Sequence, residues 1–300
     1  MDQKGMDTGI TTINRYKKAD PRCKECISKS YGKMLMKFPF THDKASEFNR
    51  FMESLLSSEA MGAAPHIHRE LHQKLRVLNS IADPYKEEKK TSNRIALRFY
   101  KYWKPRVLAA DDPFNLALRL AIAGNIMDFA VADRRFDLEE TISYALAANL
   151  SIDHSSLLKE RIRKAERVLY LGDNAGEIVF DKLFIETMLH PDVTYAVRGG
   201  PAINDALMDD AVEVGMDIAA TVISNGYDAS STLLTHCSPE FLTEFKRADL
   251  IISKGQGNLE GLIETNDSRI FFLFMVKCDV VAEIIGVEKG SLVVYNPNHI

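Results

Sequence analysis

Side chains that could bind a metal ion and a phosphate follow several short apolar runs of the sequence. Asp173 and Asn174 come just after "VLYL", Asp205 follows "VTYAV", and Lys254 comes directly after "LIIS". If these runs are parallel strands, their carboxyl ends lie at one edge of a sheet, where loops and helix N-termini bind ligands. Two carboxylates and an amide supply the oxygen ligands that Mg²⁺ and Mn²⁺ prefer, and a lysine among glycines suits an anion. The pattern predicts a site for a divalent metal and a phosphate.

Helix capping is the structural alternative for some of these residues. Glu177 follows Asn174 at the capping-box spacing, so Asn174 is expected to cap the next helix. Asp205 lies near the start of "NDALMDDAVEVG", where a negative charge would favour a helix N-terminus. Neither role accounts for Asp173, because one capping side chain is enough. The combination of the three residues therefore favours ligand binding over capping alone.

The apolar pattern changes once along the chain. Residues 1–22 form a polar lead-in, and residues 23–165 carry apolar residues at helical spacing, which predicts an all-helical domain. Residues 166–300 alternate helical segments with the apolar runs "VLYL", "VTYAV", "TVIS", "LIIS", "RIFFLF" and "LVVY". Short apolar strands that alternate with helices are typical of a parallel sheet covered on both faces. The predicted fold class is α/β, with an N-terminal helical domain followed by a doubly wound, mostly parallel, Rossmann-like αβα domain that carries the metal site.

Composition narrows the class of partner. The chain has 300 residues, with 38 basic and 42 acidic side chains and a net charge of −4, so no basic surplus favours nucleic acid or a membrane surface. No run reaches the roughly 18 apolar residues of a membrane span, and the N-terminus does not resemble a secretory signal, so we expect a cytoplasmic protein. The expected partner is a small phosphorylated metabolite, and neither nucleic acid nor a membrane is expected as a partner.

Four longer motifs resemble one known family. "LYLGDNAGEIVFDKLF", "VRGGPAINDA", "GYDASST" and "ADLIISKGQGNLEGL", in this order, are similar to the damage-control metal phosphatases, long catalogued as a domain of unknown function. "DPYKEEK" and "AIAGNIMDFAV" extend the resemblance into the helical half. Cys23 and Cys26 form a C-x-x-C pair like that of the mostly prokaryotic branch. The resemblance covers nearly the whole chain from Cys23 onward.

The resemblance implies a role for individual residues. Asp173, Asn174 and Asp205 match the residues that bind the divalent metal, which would be Mn, Ni, Co or Mg, and Lys254 matches a lysine that contacts the substrate phosphate. With these four as the catalytic set, the remaining matches are expected around the substrate: Asn125, Asp128, Arg198, Asn204, Asp228, Gly255, Asn258 and Lys277.

Residues and resemblance together predict a metal-dependent phosphatase. It would hydrolyse small phosphomonoesters, such as sugar phosphates or damaged phosphometabolites, in the manner of a metabolite-repair enzyme. A metal-activated water is the expected nucleophile. Attack by Asp173 itself, with an aspartyl-phosphate intermediate, is the alternative.

Two further hypotheses stay open at this point. Some relatives have been described as carboxyl methyltransferases that use S-adenosylmethionine, and a doubly wound sheet suits that cofactor. Against it, "GDNAGE" resembles a metal site more than the glycine-rich turn expected beneath a nucleoside. The other hypothesis is a non-enzymatic binding protein organised by zinc at Cys23 and Cys26, but two thiolates make only half of a structural zinc site. The pair could equally form a redox switch or two buried thiols.

Overall fold

The computed structural model describes residues 20–38, 40–57, 64–126 and 138–299, without the side chains of residues 126 and 138. Within these residues the helices are α1 (Pro21–Lys37), α2 (His42–Ser57), α3 (Ala64–Asn79), α4 (Lys86–Leu108), α5 (Pro113–Ile126), α6 (Leu138–Ala147), α7 (Ser155–Lys164), α8 (Glu177–Met188), α9 (Met208–Glu213), α10 (Pro239–Arg247), α11 (Gln256–Leu262) and α12 (Asp279–Ile285). The strands are β1 (Leu150–Asp153), β2 (Val168–Leu171), β3 (Val193–Val197), β4 (Thr221–Ser224), β5 (Leu250–Lys254), β6 (Ile270–Met275) and β7 (Leu292–Tyr295).

The seven strands form one sheet in the order β1-β7-β6-β5-β2-β3-β4. All neighbouring pairs are parallel except β6 and β7, which are antiparallel. From β2 the chain adds β3 and β4 on one side, whereas β5 lies on the other side of β2 and continues to β6. The order of the strands thus reverses between β2 and β5, and such a reversal opens a crevice at the carboxyl ends of the two strands.

Successive residues of the central strands face opposite layers of helices. In β2, Val168 and Tyr170 belong to a buried cluster with α4, α5 and α8, whereas Leu169 and Leu171 pack with α10, α11 and α12. Every residue of β2, β3 and β5 is buried, because both faces of the sheet are covered. Because side chains on both faces are buried, the sequences of these strands are continuous apolar runs rather than alternating apolar and polar residues. The predicted α/β class and mostly parallel sheet are confirmed.

The first three helices pack around a separate cluster of apolar side chains. Tyr31 and Phe48 are fully buried in it, with ring centroids 5.9 Å apart, and Leu71 of α3 completes its centre. Asp20 starts α1 by accepting a hydrogen bond from the backbone N–H of Arg22, and Pro21 occupies the first helical position. α3 lies next to α11, which places one face of the helical half beside the sheet.

One predicted segment differs in the structure. Residues 23–165 were expected to be all helical, but residues 150–153 form β1 and pair with β7. "LSID" alternates half-buried with exposed residues, as an edge strand does, so it lacks the apolar run that identified the other strands. The largest buried cluster also extends from Ala96 to Val294, so α4–α7 pack directly on the sheet. The division into domains at residue 165 stays a prediction.

Two other expectations lie outside the described residues. They concern the lead-in, of which residues 1–19 are not described, and Asp128. Among the helices that the structure describes, none is long and apolar enough to cross a membrane.

Candidate active site

The predicted metal ligands lie at the crevice between β2 and β5. Asp173 and Asn174 follow β2, while Asp205 follows β3. A short antiparallel bridge joins Asn174 to Asp205. On either side of it, the Ala206 N–H donates to the Asp173 carbonyl at 2.8 Å and the Ala175 N–H donates to the Asn204 carbonyl at 2.9 Å. The backbone therefore brings Asp173, Asn174 and Asp205 together, as the sequence predicted.

Arg198, the first residue after β3, links the two carboxylates. Its Nε donates to Asp205 Oδ2 at 2.5 Å, and its Nη2 donates to Asp173 Oδ1 at 3.3 Å. Nη1 donates to Asn258 Oδ1 at 2.9 Å. The guanidinium is buried and has five donors in a fixed plane, so it can hold both carboxylates in one orientation.

Amide groups orient Asp173 from the opposite side. The Nδ2 atoms of Asn125 and Asn174 donate to Asp173 Oδ2 at 3.1 and 3.0 Å. Both also donate to Glu177 Oε2 at 3.1 Å. Asn125 thus reaches the site from α5, as predicted. α5 lies close to α8 at Gly124, because glycine has no side chain. A Cβ atom added at Gly124 would lie only 3.3 Å from Cγ of Glu177.

Asn174 does not cap α8. The N-cap is Gly176, whose φ of 79° lies in the region that favours glycine, and no side chain caps this helix. Glu177 nevertheless accepts a hydrogen bond from the Asn174 backbone N–H at 3.3 Å, which is half of the predicted capping box. The side-chain carbonyl oxygen of Asn174 accepts no hydrogen bond from the described residues. That oxygen is therefore available to a ligand.

Lys254 lies deeper than the sequence suggested. It is the last residue of β5 rather than the first of the loop, and its side chain is fully buried. Its amine donates to Glu177 Oε1 at 2.6 Å, to Asp181 Oδ1 at 2.7 Å and to the carbonyl of Ala121 at 2.8 Å. All three ammonium donors are therefore used inside the protein. Contact with a substrate phosphate stays a prediction, and it would require one of these bonds to be exchanged.

Asp181 joins this network to the centre of the sheet. Besides Lys254, it accepts hydrogen bonds from the hydroxyls of Tyr170 at 2.8 Å and Tyr195 at 3.0 Å. Sequence reasoning missed Asp181 and treated Glu177 only as a capping partner. The available signal was two acids four residues apart within the otherwise apolar "EIVFDKLF". A helical spacing of four puts both acids on the face that packs against the sheet.

Burial raises the pKa values of three acidic side chains in this site. Burial, together with the negative charges of Asp205 and Glu177, raises the pKa of Asp173 well above its ordinary value. Burial also raises the pKa of Asp205, although Arg198 opposes the shift. The pKa of Asp181 is raised to about 6, chiefly by burial, against the opposing effect of Lys254. The positive charges in the site therefore do not balance all of its acidic side chains.

The charge balance and the donor set fit a divalent cation. Four buried carboxylates face two buried cations, the carboxylates being Asp173, Glu177, Asp181 and Asp205 and the cations Arg198 and Lys254. In the described part of the chain, no group of three or more His, Cys, Asp or Glu side chains is placed to hold a metal. A ligand set of Asp173, Asn174 and Asp205 stays a prediction, and it would use the Asn174 carbonyl oxygen as its third ligand.

The other residues predicted to bind substrate lie around Asp173 and Asp205, and they differ in how deeply they are buried. Gly255 has a φ of 78°, and a Cβ there would overlap the Asp173 carboxylate. Asn258 is buried, and its amide donates to the carbonyls of Lys254 and Gly172, so it supports the loop and Arg198. Lys277 lies half-buried, close enough to lower the pKa of Asp173. Their contact with substrate stays a prediction.

Asn204 and Asp228 occupy the loops after β3 and β4. Asn204 is buried and its backbone carbonyl takes part in the pairing with Ala175. Asp228 faces α3, where its carboxylate accepts hydrogen bonds from Arg69 and Gln73. Their contact with substrate likewise stays a prediction.

Comparisons with known proteins agree with this architecture. Residues 19–293 match the family described as the damage-control phosphatase ARMT1-like domain. A damage-control phosphatase of Pyrococcus horikoshii is 43% identical over 214 residues, which cover 70% of this chain and 74% of the relative. A damage-control phosphatase of Archaeoglobus fulgidus is 30% identical over 287 residues, which cover 92% of this chain and 98% of the relative.

A solved structure shares the fold. The crystal structure of a DUF89 family protein from Pyrococcus horikoshii, at 2.04 Å resolution, superposes with a TM-score of 0.85 and 34% sequence identity. The match covers 94% of this chain and 99% of that chain. The chain therefore belongs to the damage-control phosphatase ARMT1-like family.

Proposed function

We propose that the chain is a metal-dependent phosphatase that hydrolyses small phosphomonoesters, such as sugar phosphates or damaged phosphometabolites. Family membership supports a phosphatase. The observation that supports metal dependence is the pair Asp173 and Asp205, two buried carboxylates from neighbouring strand ends that are held together by backbone pairing. Two such carboxylates repel each other, and the single charge of Arg198, which bonds to both, balances only one of them, so a further cation is favoured there.

In this proposal Asp173, Asn174 and Asp205 hold the metal through oxygen atoms. When bound, the metal would supply Lewis-acid chemistry, which polarises a phosphoryl oxygen and makes water a better nucleophile at neutral pH. Mn, Ni, Co and Mg all accept such ligands. Asn125 and Arg198 fix the orientation of Asp173, so that the ligands do not have to reorganise during the reaction.

Arg198 and Lys277 supply positive charge near the phosphate position. Arg198 is anchored by Asp205 and Asn258, and Lys277 lies at the end of the segment that follows β6. Charge that develops on the phosphoryl oxygens in the transition state is stabilised by such fixed cations.

Water is the proposed nucleophile, because Asp173 is committed to the metal and to two amide groups.

Phosphate release from p-nitrophenyl phosphate tests the proposal. We expect activity with Mn²⁺, Ni²⁺, Co²⁺ or Mg²⁺ and its loss with a chelator. Asp205→Asn should lower kcat/KM at least about 100-fold, because one anionic ligand is lost. Asp217→Asn, at an exposed aspartate, is the matched control and should change little. A folded wild-type protein that releases no phosphate with any of the four metals would contradict the proposal.

Direct metal binding provides a readout that does not depend on turnover. Isothermal titration with Mn²⁺ should show one site in the wild type and in Asp217→Asn. Asp205→Asn should bind Mn²⁺ about 10- to 100-fold more weakly. Equal affinity in the wild type and Asp205→Asn would place the metal elsewhere.

A further inference from the structure

Asn93 lies on α4 and connects to both of the loops that carry the predicted metal ligands. Its side chain is fully buried. Its Oδ1 accepts the backbone N–H of Gly176 at 2.7 Å, and Gly176 lies two residues after Asn174 in the loop that follows β2. Its Nδ2 donates to Asp210 Oδ1 and to Glu213 Oε2, each at 3.0 Å. Both acids lie on α9, which directly follows the second of the two loops.

Asp210 carries this contact into the loop that follows β3. Its Oδ2 accepts the backbone N–H of Leu207 at 2.9 Å, and Leu207 lies two residues after Asp205. The amine of Lys89, one helical turn before the asparagine on α4, is 3.2 Å from the same oxygen and 2.8 Å from Asp83 Oδ2. Lys89 is buried as well. Two neighbouring side chains of α4 therefore hold Asp210, which in turn holds the backbone of this loop.

The neighbours of Asn93 determine which way its amide points. Gly176 presents a donor, whereas Asp210 and Glu213 present acceptors. The opposite orientation would turn the amide nitrogen toward an N–H group and the carbonyl oxygen toward two carboxylates. Aspartate would supply the acceptor without the two donors, and leucine would supply neither. The position thus makes use of both ends of an amide.

A restraint at this place matters because the two loops carry like charges. Asp173 and Asp205 are both buried, and the single charge of Arg198 bonds to both of them. Before a cation binds, the remaining repulsion acts to separate the loops. The backbone bridge between Asn174 and Asp205 opposes that separation. The contacts of Asn93 add a second restraint, which lies outside the charged centre.

A purely structural role for Asn93 is the alternative. Gly176 is the N-cap of α8, and backbone donors at the start of a helix have no partner within that helix. An acceptor from α4 satisfies such a donor whether or not a ligand binds nearby. This alternative predicts that the loss of Asn93 lowers stability but leaves the metal affinity of the folded protein unchanged.

We propose that Asn93 is a positioning residue that holds the loop after β2 and the loop after β3 in a fixed relative position, and so sets the spacing of the metal ligands before an ion binds. The inference rests on the proposed function, because it concerns the same site, and it adds a residue of the helical half to that site. Asn93 acts through Gly176 and Asp210 rather than by touching the ion.

Asn93→Ala removes these contacts, and Asn296→Ala is the matched control. Asn296 is buried, its amide donates to the carbonyls of Ser268 and Ile270, and its carbonyl oxygen accepts from the backbone N–H of Asn298. These partners lie at the start of β6 and after the end of β7, which is the edge of the sheet opposite the site. Each variant loses a buried asparagine that both donates and accepts, but only Asn93→Ala alters the two loops.

Hydrogen exchange of the metal-free protein tests the restraint itself. In Asn93→Ala, amides in peptides that cover residues 173–176 and 204–207 should exchange about tenfold faster than in the wild type, as the loss of one or two hydrogen bonds allows. Asn296→Ala should leave the exchange of these peptides unchanged. Wild-type exchange of both peptides in Asn93→Ala would overturn the proposal.

Titration with Mn²⁺ tests the consequence for the site. Asn93→Ala should bind Mn²⁺ about tenfold or more weakly than the wild type, whereas Asn296→Ala should bind it equally well. Adding Asn93→Ala to Asp205→Asn should weaken binding by a smaller factor than it does in the wild type, because positioning matters less once the anionic ligand is lost. Unchanged affinity in Asn93→Ala, or the same factor in both backgrounds, would overturn the proposal.

Phosphate release separates this proposal from the proposed function. A wild type that binds Mn²⁺ but releases no phosphate from p-nitrophenyl phosphate would refute the phosphatase, while exchange and titration still decide the role of Asn93. A wild type with metal-dependent activity, together with wild-type exchange and affinity in Asn93→Ala, would refute the positioning role alone. A folded wild type that binds none of the four metals would overturn both.

Discussion

Lys254 and Glu177 form an ion pair of 2.6 Å in which neither side chain is exposed. Glu177 uses its other carboxylate oxygen to accept hydrogen bonds from Asn125 and Asn174, the two amides that orient Asp173. The ion pair therefore acts on the candidate metal ligands through these amides. A buried charge pair of this kind is costly to break, because the remaining charge stays in a medium that solvates it poorly.

Glu177→Gln should destabilise the protein and disturb the site together. Removing one charge leaves Lys254 without part of its compensation, and we expect a loss of about 3–5 kcal/mol in the free energy of unfolding. Urea unfolding measures it. Glu160→Gln, in the exposed pair with Lys164, is the matched control and should cost at most about 1 kcal/mol. Similar losses in the two variants would contradict the role given to Glu177.

Gly255→Ala should weaken metal binding as well as stability. The φ of 78° and ψ of 155° are poorly accessible to alanine, and the new Cβ would displace the Asp173 carboxylate. Gly286→Ala is the control, since Gly286 has a φ of 74° but nothing within 4 Å of a built Cβ. Mn²⁺ titration should show weaker binding only for Gly255→Ala. Unchanged affinity would mean that Asp173 does not bind the metal.

Arg198→Met should make the stability of the protein more dependent on bound metal. Without the guanidinium, Asp173 and Asp205 face each other with less compensation, so the metal-free protein should lose about 3–5 kcal/mol of stability. The rise in melting temperature on adding Mn²⁺ should then exceed that of the wild type. Arg269→Met, which removes a half-buried arginine paired with Asp267, should lower stability without changing this rise. An equal rise in the two variants would argue against Arg198 as the counter-charge.

His72 should contribute to loss of stability in acid. Burial lowers the pKa of this histidine from 6.5 to about 4. Between these values the unfolded chain binds a proton that the folded chain excludes, so stability falls as the pH drops from 6.5 towards 4. At pH 5 the loss is about 2 kcal/mol. The difference in urea stability between pH 7.5 and pH 5 should be smaller in His72→Phe than in the wild type.

His42→Phe is the control for that experiment. His42 is exposed at the start of α2, so the same replacement there leaves the buried core around His72 unchanged. An unchanged pH dependence in His72→Phe would show that His72 is not buried in its neutral form.

The sequence predicted the central sheet well because those strands are buried on both faces. "VLYL", "VTYAV" and "LVVY" became β2, β3 and β7 with the expected residues. β1 was missed because an edge strand covered on one side alternates, and a four-residue alternation between helices is a weak signal.

The site was predictable in its residues but less so in its contacts. The convergence of Asp173, Asn174 and Asp205 follows from parallel strands whose ends share one edge of the sheet. The depth of Lys254 does not follow, because the apolar run ends one residue before the strand does. The partners of Lys254 come from other helices, and no local pattern identifies long-range pairing.

The hydroxyls that converge on Asp181 have a consequence for how the sheet assembles. Tyr170 and Tyr195 lie opposite each other in the pairing of β2 with β3, and both donate to the same carboxylate. A slip of one residue between these strands would turn one tyrosine to the other face and leave its hydroxyl and Asp181 unmatched. Apolar strands alone would tolerate several alignments. We expect this polar contact in the middle of the core to select the one alignment that also places Asp173 beside Asp205.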